Sequence, residues 1–197
     1  MPLTLRIKLF GAFGIISAIL IGLGIYSYAG AGQIYRNGIE MDTLWRSDVT
    51  AAHTIETLAY EYRTQEYRYM IYKSTFVDKE TFEKFEKDMN SIEIKAEKTI
   101  KAHMKSAVPA ESVNKWKQIE ILWEKYIKAS HKVIGSTKQG NFTEGTNLML
   151  AGESSKAFDN LCNATATLVN YNYEKVASAS KTARMTLKVL RMYCLYI

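Results

Sequence analysis

The sequence predicts an all-α protein in which one apolar N-terminal helix continues into an up-down-up-down four-helix bundle. Two observations lead to this fold class. Residues 9–29 form an uncharged and almost wholly apolar run. Beyond that run, apolar side chains recur at alternating spacings of three and four residues, which is the period of helices that pack in a bundle. No stretch shows the two-residue alternation that is typical of a half-buried strand.

The apolar run from Leu9 to Ala29 predicts a membrane-spanning helix, because roughly 20 helical residues cross the ~30 Å hydrocarbon core of a bilayer. Arg6 and Lys8 stand just before it, and the next charged residue is Arg36. The positive-inside rule then places the N-terminus in the cytoplasm. We therefore expect a single crossing of the inner (cell) membrane, with the bundle periplasmic or extracellular.

Two other interpretations of the apolar run remain open. It could be a cleaved secretory signal, because Ala29, Gly30 and Ala31 resemble a small-residue cleavage site. The run is longer than the about 7–15 apolar residues of such signals, however. It could also be the core helix of a soluble protein, but it has no polar face. The uncleaved anchor is the interpretation we favour.

Charge adds a second indication of a membrane. The chain carries 26 Lys and Arg against 20 Asp and Glu, a net charge of +6. The excess cations lie at the two ends of the chain, in Arg6 and Lys8 and in Lys181, Arg184, Lys188 and Arg191. A nucleic-acid-binding protein would cluster its cations on one face, so we expect no nucleic-acid partner. Basic ends on a neutral domain instead suit the surface of a membrane.

The first bundle helix is predicted to run unbroken from Gln33 to Lys73, since no proline or turn cluster interrupts it. Its seam repeats at multiples of seven residues, in Ile34, Met41, Ile55, Tyr62, Tyr69 and Phe76, and the alternate position holds Trp45, Ala52, Ala59 and Glu66. Asp48 is a polar residue on this otherwise apolar stripe, as Asn172 is on the stripe of the fourth helix. A buried polar residue of that kind can fix register or partner number, or it can line a solvated gap.

Three further helices are predicted from residues that typically begin or end a helix. The second is predicted to begin after an N-cap at Asp78, and the third at Pro109, ending at Gly140. Asn141 and Glu144 resemble a capping pair that opens the fourth. The predicted core stripe of the second helix is Phe82, Phe85, Met89, Ile92, Ala96, Thr99 and His103. That of the third is Trp116, Ile119, Trp123, Tyr126, Ser130 and Val133. That of the fourth is Leu148, Ala151, Ser155, Phe158, Cys162, Thr165, Val169, Asn172, Val176, Ala179 and Ala183.

These elements predict four segments. Residues 1–8 are a cytoplasmic tail, residues 9–29 a transmembrane helix, residues 30–184 an extracytoplasmic bundle, and residues 185–197 a truncated second membrane helix or a basic amphipathic tail. The last segment has thirteen residues and contains Lys188 and Arg191. Each of these cations would cost roughly 2.5–3.5 kcal/mol at the centre of a membrane, so we expect that this tail does not span.

No enzymatic function is indicated. The chain has no nucleophile motif, no glycine-rich phosphate loop and no convincing pair of acids. His53, His103 and His131 fall on three predicted helices, so a metal or haem site in the bundle core is conceivable. No Glu-x-x-His or His-x-x-x-His spacing supports such a site, and we expect no cofactor and no metal.

Tyrosines are dense in the first bundle helix, at positions 60, 62, 67, 69 and 72. Tyr62 and Tyr69 lie on the core stripe, which is consistent with simple packing. They could also line an aromatic pocket in which Arg63 and Arg68 fork around a ligand carboxylate. The two arginines point about 140° apart on one helix, so one ligand would need both subunits of a dimer to contact both. The candidate ligand-binding residues are Arg63, Arg68, Tyr62 and Tyr69.

The whole pattern resembles the four-helix-bundle sensor domain of methyl-accepting chemotaxis receptors. The resemblance rests on the N-terminal anchor, the unbroken first bundle helix with the stretch Tyr-Arg-Thr-Gln-Glu-Tyr-Arg-Tyr (residues 62–69), the Gly-Asn-Phe turn at residues 140–142, and the end Ala-Ser-Ala-Ser-Lys-Thr-Ala-Arg (residues 177–184). It covers residues 6 to about 185. It implies an extracytoplasmic module for a small organic ligand, which dimerises and transmits a small helix displacement across the membrane.

One departure from that family concerns the C-terminus. Such receptors continue into a second membrane helix, a HAMP linker and a cytoplasmic coiled coil, which residues 185–197 do not supply. The resemblance therefore implies a module that binds but cannot signal alone, as a homodimer or paired with full-length receptors. The alternative function is a membrane-anchored structural or scaffold bundle with no small-molecule ligand.

Overall fold

The protein is all-α, as the sequence predicts. A computed structural model describes residues 5–40, 45–75, 78–106 and 110–195, and this part of the chain contains helices and turns but no strand. The described helices are α1 (Leu5–Glu40), α2 (Arg46–Thr75), α3 (Lys79–Ser106), α4 (Ala110–Lys138), α5 (Phe142–Leu150) and α6 (Glu153–Leu195). Some predictions concern residues outside the described ranges. These are the continuity of the first bundle helix through residues 41–44, the seam position of Phe76 and the start of the third helix at Pro109.

The chain divides into two compact units. One comprises Leu44–Glu174, which holds α2 to α5 and the first part of α6. The other comprises Met1–Thr43 with Lys175–Ile197, which holds α1 and the rest of α6. The core and the candidate site described below belong to the first unit, called here the bundle.

The N-terminal unit contains the predicted apolar helix. Between Leu5 and Arg36, α1 is long and apolar enough to cross a membrane, with a mean hydropathy of 2.2, and it is the one such helix among the described residues. Large apolar side chains such as Phe10, Phe13 and Ile21 are exposed along it. Such a surface is stable in hydrocarbon and unfavourable in water.

Aromatic side chains dominate the interior of the bundle. Trp116, Trp123, Tyr62 and Tyr126 are among the largest fully buried side chains. Tyr62 meets Trp123 and Tyr126 edge to face, with ring centroids 6.4 Å and 5.7 Å apart. This is the preferred geometry of aromatic pairs. The six residues predicted for the core stripe of α4 are all buried.

Two predicted helix ends are confirmed. Asp78 accepts a hydrogen bond from the backbone nitrogen of Glu80 at 3.1 Å and another from the Thr81 hydroxyl, and these bonds lower the pKa of its carboxyl. Gly140 has a φ of +84°, a left-handed conformation that suits glycine at the end of α4. Its backbone nitrogen donates to the carbonyl of Thr137 at 3.1 Å.

The predicted fourth bundle helix is interrupted, which corrects the sequence prediction. Asn141 occupies the N-cap position of α5, but its side chain makes no capping hydrogen bond. The helix then stops at Leu150 and restarts at Glu153. The chain folds so closely at Gly152 that a Cβ atom there would lie 2.7 Å from the Cα atom of Leu148. Only glycine fits this joint.

The restart also shifts the buried face of α6. Ser155, Phe158 and Cys162 were predicted in the core, yet all three are only partly buried. The buried positions of this part of α6 are Ser154, Ala157, Leu161, Thr165, Leu168, Val169, Tyr171 and Asn172. The prediction was wrong by one residue over the first turns because it continued a single helical phase through the joint.

Asp48 and Asn172, polar residues on the predicted core stripes, each make a side-chain hydrogen bond within the chain. Buried Asp48 accepts hydrogen bonds from the Ser112 hydroxyl at 2.5 Å and the Trp116 indole nitrogen at 3.0 Å. His103 lies 3.4 Å from the same carboxylate and stacks on the ring of Trp116. Asp48 therefore ties α2 to α3 and α4. The Asn172 amide nitrogen donates to the carbonyl of Leu168 at 3.0 Å.

Candidate functional site

The four predicted ligand-binding residues do not share one pocket. Tyr62 and Tyr69 are buried, and their hydroxyl groups meet carboxylates on α3. Arg63 is also buried, but its partners lie on α5 and α6. Arg68 is exposed. Ligand binding by these residues remains a prediction, and the structure directs attention to the two tyrosines.

The guanidinium group of Arg63 joins α2 to the α5–α6 joint. Its Nη1 donates to the hydroxyl of Ser154 at 2.8 Å, and its Nη2 donates to the carbonyl of Met149. It also lies over the rings of Tyr67 and Phe158, 5.6 Å and 5.3 Å from their centroids. Both terminal nitrogens thus have partners in the fold, so forking a ligand carboxylate would require breaking these bonds.

Glu66 is the buried partner of this cation. Its side chain is fully buried and its Oε2 lies 3.5 Å from Nη1 of Arg63. Its Oε1 accepts hydrogen bonds from Ser130 at 2.8 Å and from Ser154 at 3.4 Å. Burial raises the pKa of the Glu66 carboxyl, and the Ser130 hydrogen bond and the charge of Arg63 only partly oppose this rise. The sequence already signalled this residue, because it is an acid on a core seam.

A cleft of about 240 Å³ is bounded by α2, α3 and α4. It is lined by Tyr62, Glu86, Met89, Asn90, Glu93, His131, Ile134 and Lys138. Polar groups converge at two levels, each centred on one carboxylate of α3. At the first, Oε1 of Glu93 accepts a hydrogen bond from Tyr62 Oη at 2.9 Å and lies 3.1 Å from His131 Nε2.

The second level repeats this arrangement one heptad earlier on α3. Oε1 of Glu86 accepts a hydrogen bond from Tyr69 Oη at 3.1 Å and lies 2.9 Å from Lys138 Nζ. The hydrogen bond from Lys138 lowers the pKa of Glu86, whereas burial raises the pKa of both Tyr62 and Tyr69. At neutral pH the tyrosines therefore keep their protons and act as donors to the carboxylates.

Residue spacing on α2 and α3 contains a signal for this cleft. Tyr62 and Tyr69 are seven residues apart on α2, and Glu86 and Glu93 are seven residues apart on α3. Equal spacings of this kind match when two helices pack side by side. Lysines and glutamates are dense along the same helix, however, and helix faces of that composition usually are solvated.

The three histidines occupy separate sites. His53 pairs with Glu56 at 3.3 Å, His103 with Asp48 and His131 with Glu93. Over the described ranges, no group of three or more His, Cys, Asp or Glu side chains is placed to hold a metal ion.

Comparison with known families matches residues 2–186 to the model of a four helix bundle sensory module for signal transduction. The matched region includes α1, the whole bundle and most of α6, and hence every residue of the cleft. No curated protein matches the chain.

Proposed function

Because the chain belongs to the family of four-helix-bundle sensory modules for signal transduction, we propose that it is the extracytoplasmic ligand-sensing portion of a bacterial chemotaxis receptor. The observation that carries the proposal is the family match over residues 2–186, on a chain that folds as a helical bundle behind one apolar helix. A sensory module binds its ligand without transforming it, so the proposed role includes no catalysis and no cofactor.

The geometry of the bundle supports a sensing role. The cleft brings ionised and polar groups from three helices to one place, as ligand sites commonly do. On α2, Tyr62 contacts Glu93 in the cleft, and its neighbour Arg63 contacts Ser154 at the start of α6. A ligand that alters the contact between Tyr62 and Glu93 thus acts on α2, which also contacts α6 through Arg63. In the proposed function, displacement of α6 is the signal.

The proposed location follows from α1. We propose that α1 crosses the inner membrane with residues 1–8 in the cytoplasm, because Arg6 and Lys8 precede the apolar run. The bundle is then periplasmic or extracellular, where small solutes reach the cleft directly. The exposed apolar side chains of α1 favour an environment of lipid.

We also propose that two modules pair, either as a homodimer or with full-length receptors. Exposed apolar side chains at Tyr60, Tyr67 and Ile71 follow one another along α2, which supports self-association through this helix. Cross-linking of the chain in membranes checks this: dimer bands should form at low expression, and a chain that remains monomeric would contradict pairing.

A chimeric receptor tests the function. Residues 1–186 are joined to the second membrane helix and signalling half of a well-behaved chemotaxis receptor, and the activity of the associated kinase is measured in membrane vesicles. We expect at least one compound in a panel of amino acids, organic acids and amines to change that activity. The parent receptor with its own ligand serves as the control. A chimera that inserts and activates the kinase but responds to no compound would favour the scaffold alternative.

A further inference from the structure

The cleft bounded by α2, α3 and α4 combines acidic, polar and apolar side chains. Glu86, Asn90 and Glu93 follow the spacing i, i+4 and i+7, so they lie on one face of α3. The two carboxylates are separated by about 10 Å along the helix axis, at 1.5 Å per residue. Met89 and Ile134 add apolar surface to the same lining.

Each of the two carboxylates in this cleft uses only one of its oxygens within the fold. Glu93 uses Oε1 for both Tyr62 and His131, and Glu86 uses Oε1 for both Tyr69 and Lys138. Within the described residues, neither Oε2 atom has a hydrogen-bond or ion-pair partner. The tyrosine hydroxyls already donate to the carboxylates. A ligand that completes this arrangement must bring donors of its own.

The charges of the lining also favour a ligand that carries donors, in particular a cation. Besides the imidazole of His131, the lining carries two carboxylates and one ammonium group, that of Lys138. Lys138 pairs with Glu86, and no lysine or arginine of the lining pairs with Glu93. The side chain of Glu93 is only 20% exposed. A cation that reaches it is therefore screened less by water than one at a fully exposed acid.

On these grounds, and resting on the proposed sensory function, we propose that the cleft binds a small aliphatic amine whose ammonium group pairs with Glu93. The amide of Asn90 provides a second acceptor, and the carbon chain of the ligand lies against Met89 and Ile134. A volume of about 240 Å³ is below the usual ~300–1,000 Å³ of ligand pockets, which restricts the ligand to a short chain.

Titration calorimetry on the full chain in nanodiscs of zwitterionic lipid tests this inference. The probes are n-butylamine and 1,4-diaminobutane, with butyrate as a ligand of similar size and opposite charge. We expect saturable binding of at least one amine and no binding of butyrate. Binding of neither amine, or of butyrate in preference to the amines, would overturn the assignment.

Matched variants locate the site. Glu93→Gln keeps an acceptor for Tyr62 but removes the charge, so amine affinity should fall at least tenfold. Glu97→Gln removes an exposed carboxylate one turn further along α3, which pairs with Lys101, and should change the affinity less than twofold. Lys138→Met removes the competing cation and should raise the affinity severalfold. Equal affinities for the wild type and Glu93→Gln would contradict the proposal.

Two further measurements distinguish a loss of amine binding from misfolding of a variant and from failure of the proposed sensory function. Asn90→Leu leaves every carboxylate in place and should still weaken amine binding severalfold, while circular dichroism checks the helix content of each variant. In the chimeric receptor, a response to another class of ligand that survives Glu93→Gln would overturn this inference and leave the sensory function standing. A chimera that responds to nothing contradicts the function itself.

Discussion

Replacement of Arg63 by methionine should lower the free energy of unfolding by about 3–5 kcal/mol. The substitution removes the cation from a fully buried Glu66 and leaves the hydroxyl of Ser154 and the carbonyl of Met149 without their donor. Methionine retains much of the apolar stem, so the loss should come mainly from the missing charge. Denaturant unfolding of the full chain, followed by circular dichroism, measures the change.

A matched control lies five residues further along the same helix. Arg68→Met removes an exposed cation and should alter stability by no more than about 0.5 kcal/mol. In the double variant Arg63→Met, Glu66→Gln, the side chain at position 66 can no longer be charged, so much of the lost stability should return. A loss below about 1 kcal/mol for Arg63→Met alone would show that this ion pair does not hold α2 to the α5–α6 joint.

Leu161→Ala should destabilise the bundle by about 3–4 kcal/mol, whereas Phe158→Ala should cost only about 2 kcal/mol. Leu161 is fully buried on α6, so truncation leaves a cavity. Phe158 is partly buried and keeps one side open to solvent, although it packs edge to face on Tyr60 and Tyr126. Unfolding curves of the two variants under one condition give the comparison.

The relative size of these two stability losses tests which face of α6 is buried. The helical phase continued from Leu148 predicts Phe158 in the core, with a cost of about 3–5 kcal/mol for its truncation. The structure instead places Leu161 there, because the helix restarts at Glu153. A larger loss for Phe158→Ala than for Leu161→Ala would support the uninterrupted helix and contradict the joint at Gly152.

Much of the fold could be predicted because the period of the apolar residues is a local property of the chain. All six residues predicted for the core stripe of α4 are buried. Asp78 caps the start of α3 with its carboxylate, and Gly140 ends α4 in a left-handed conformation that glycine tolerates. The joint between α5 and α6 was missed for a physical reason. Gly152 is required by a close approach to Leu148, and an approach between backbone atoms leaves no periodic signal.

The candidate site could be predicted only in part. Ligand binding by the tyrosine-rich stretch stays a prediction, and of its four candidate residues Tyr62 lines the cleft. The roles of its neighbours depend on how the helices are rotated against one another. That rotation buries Arg63 beside Ser154 and turns Glu86 and Glu93 toward the tyrosines. Sequence spacing alone does not determine it.

The proposed sensory function requires that α1 is an uncleaved anchor that holds the bundle outside the cytoplasm. The most direct test places one cysteine at Lys87, an exposed position on α3, in a chain whose Cys162 and Cys194 are replaced by serine. Intact spheroplasts are treated with a membrane-impermeant maleimide, and the membranes are then washed with carbonate. We expect labelling without lysis and a full-length protein that stays in the membrane pellet. Labelling only after lysis, or a soluble protein that begins near Gly32, would contradict it.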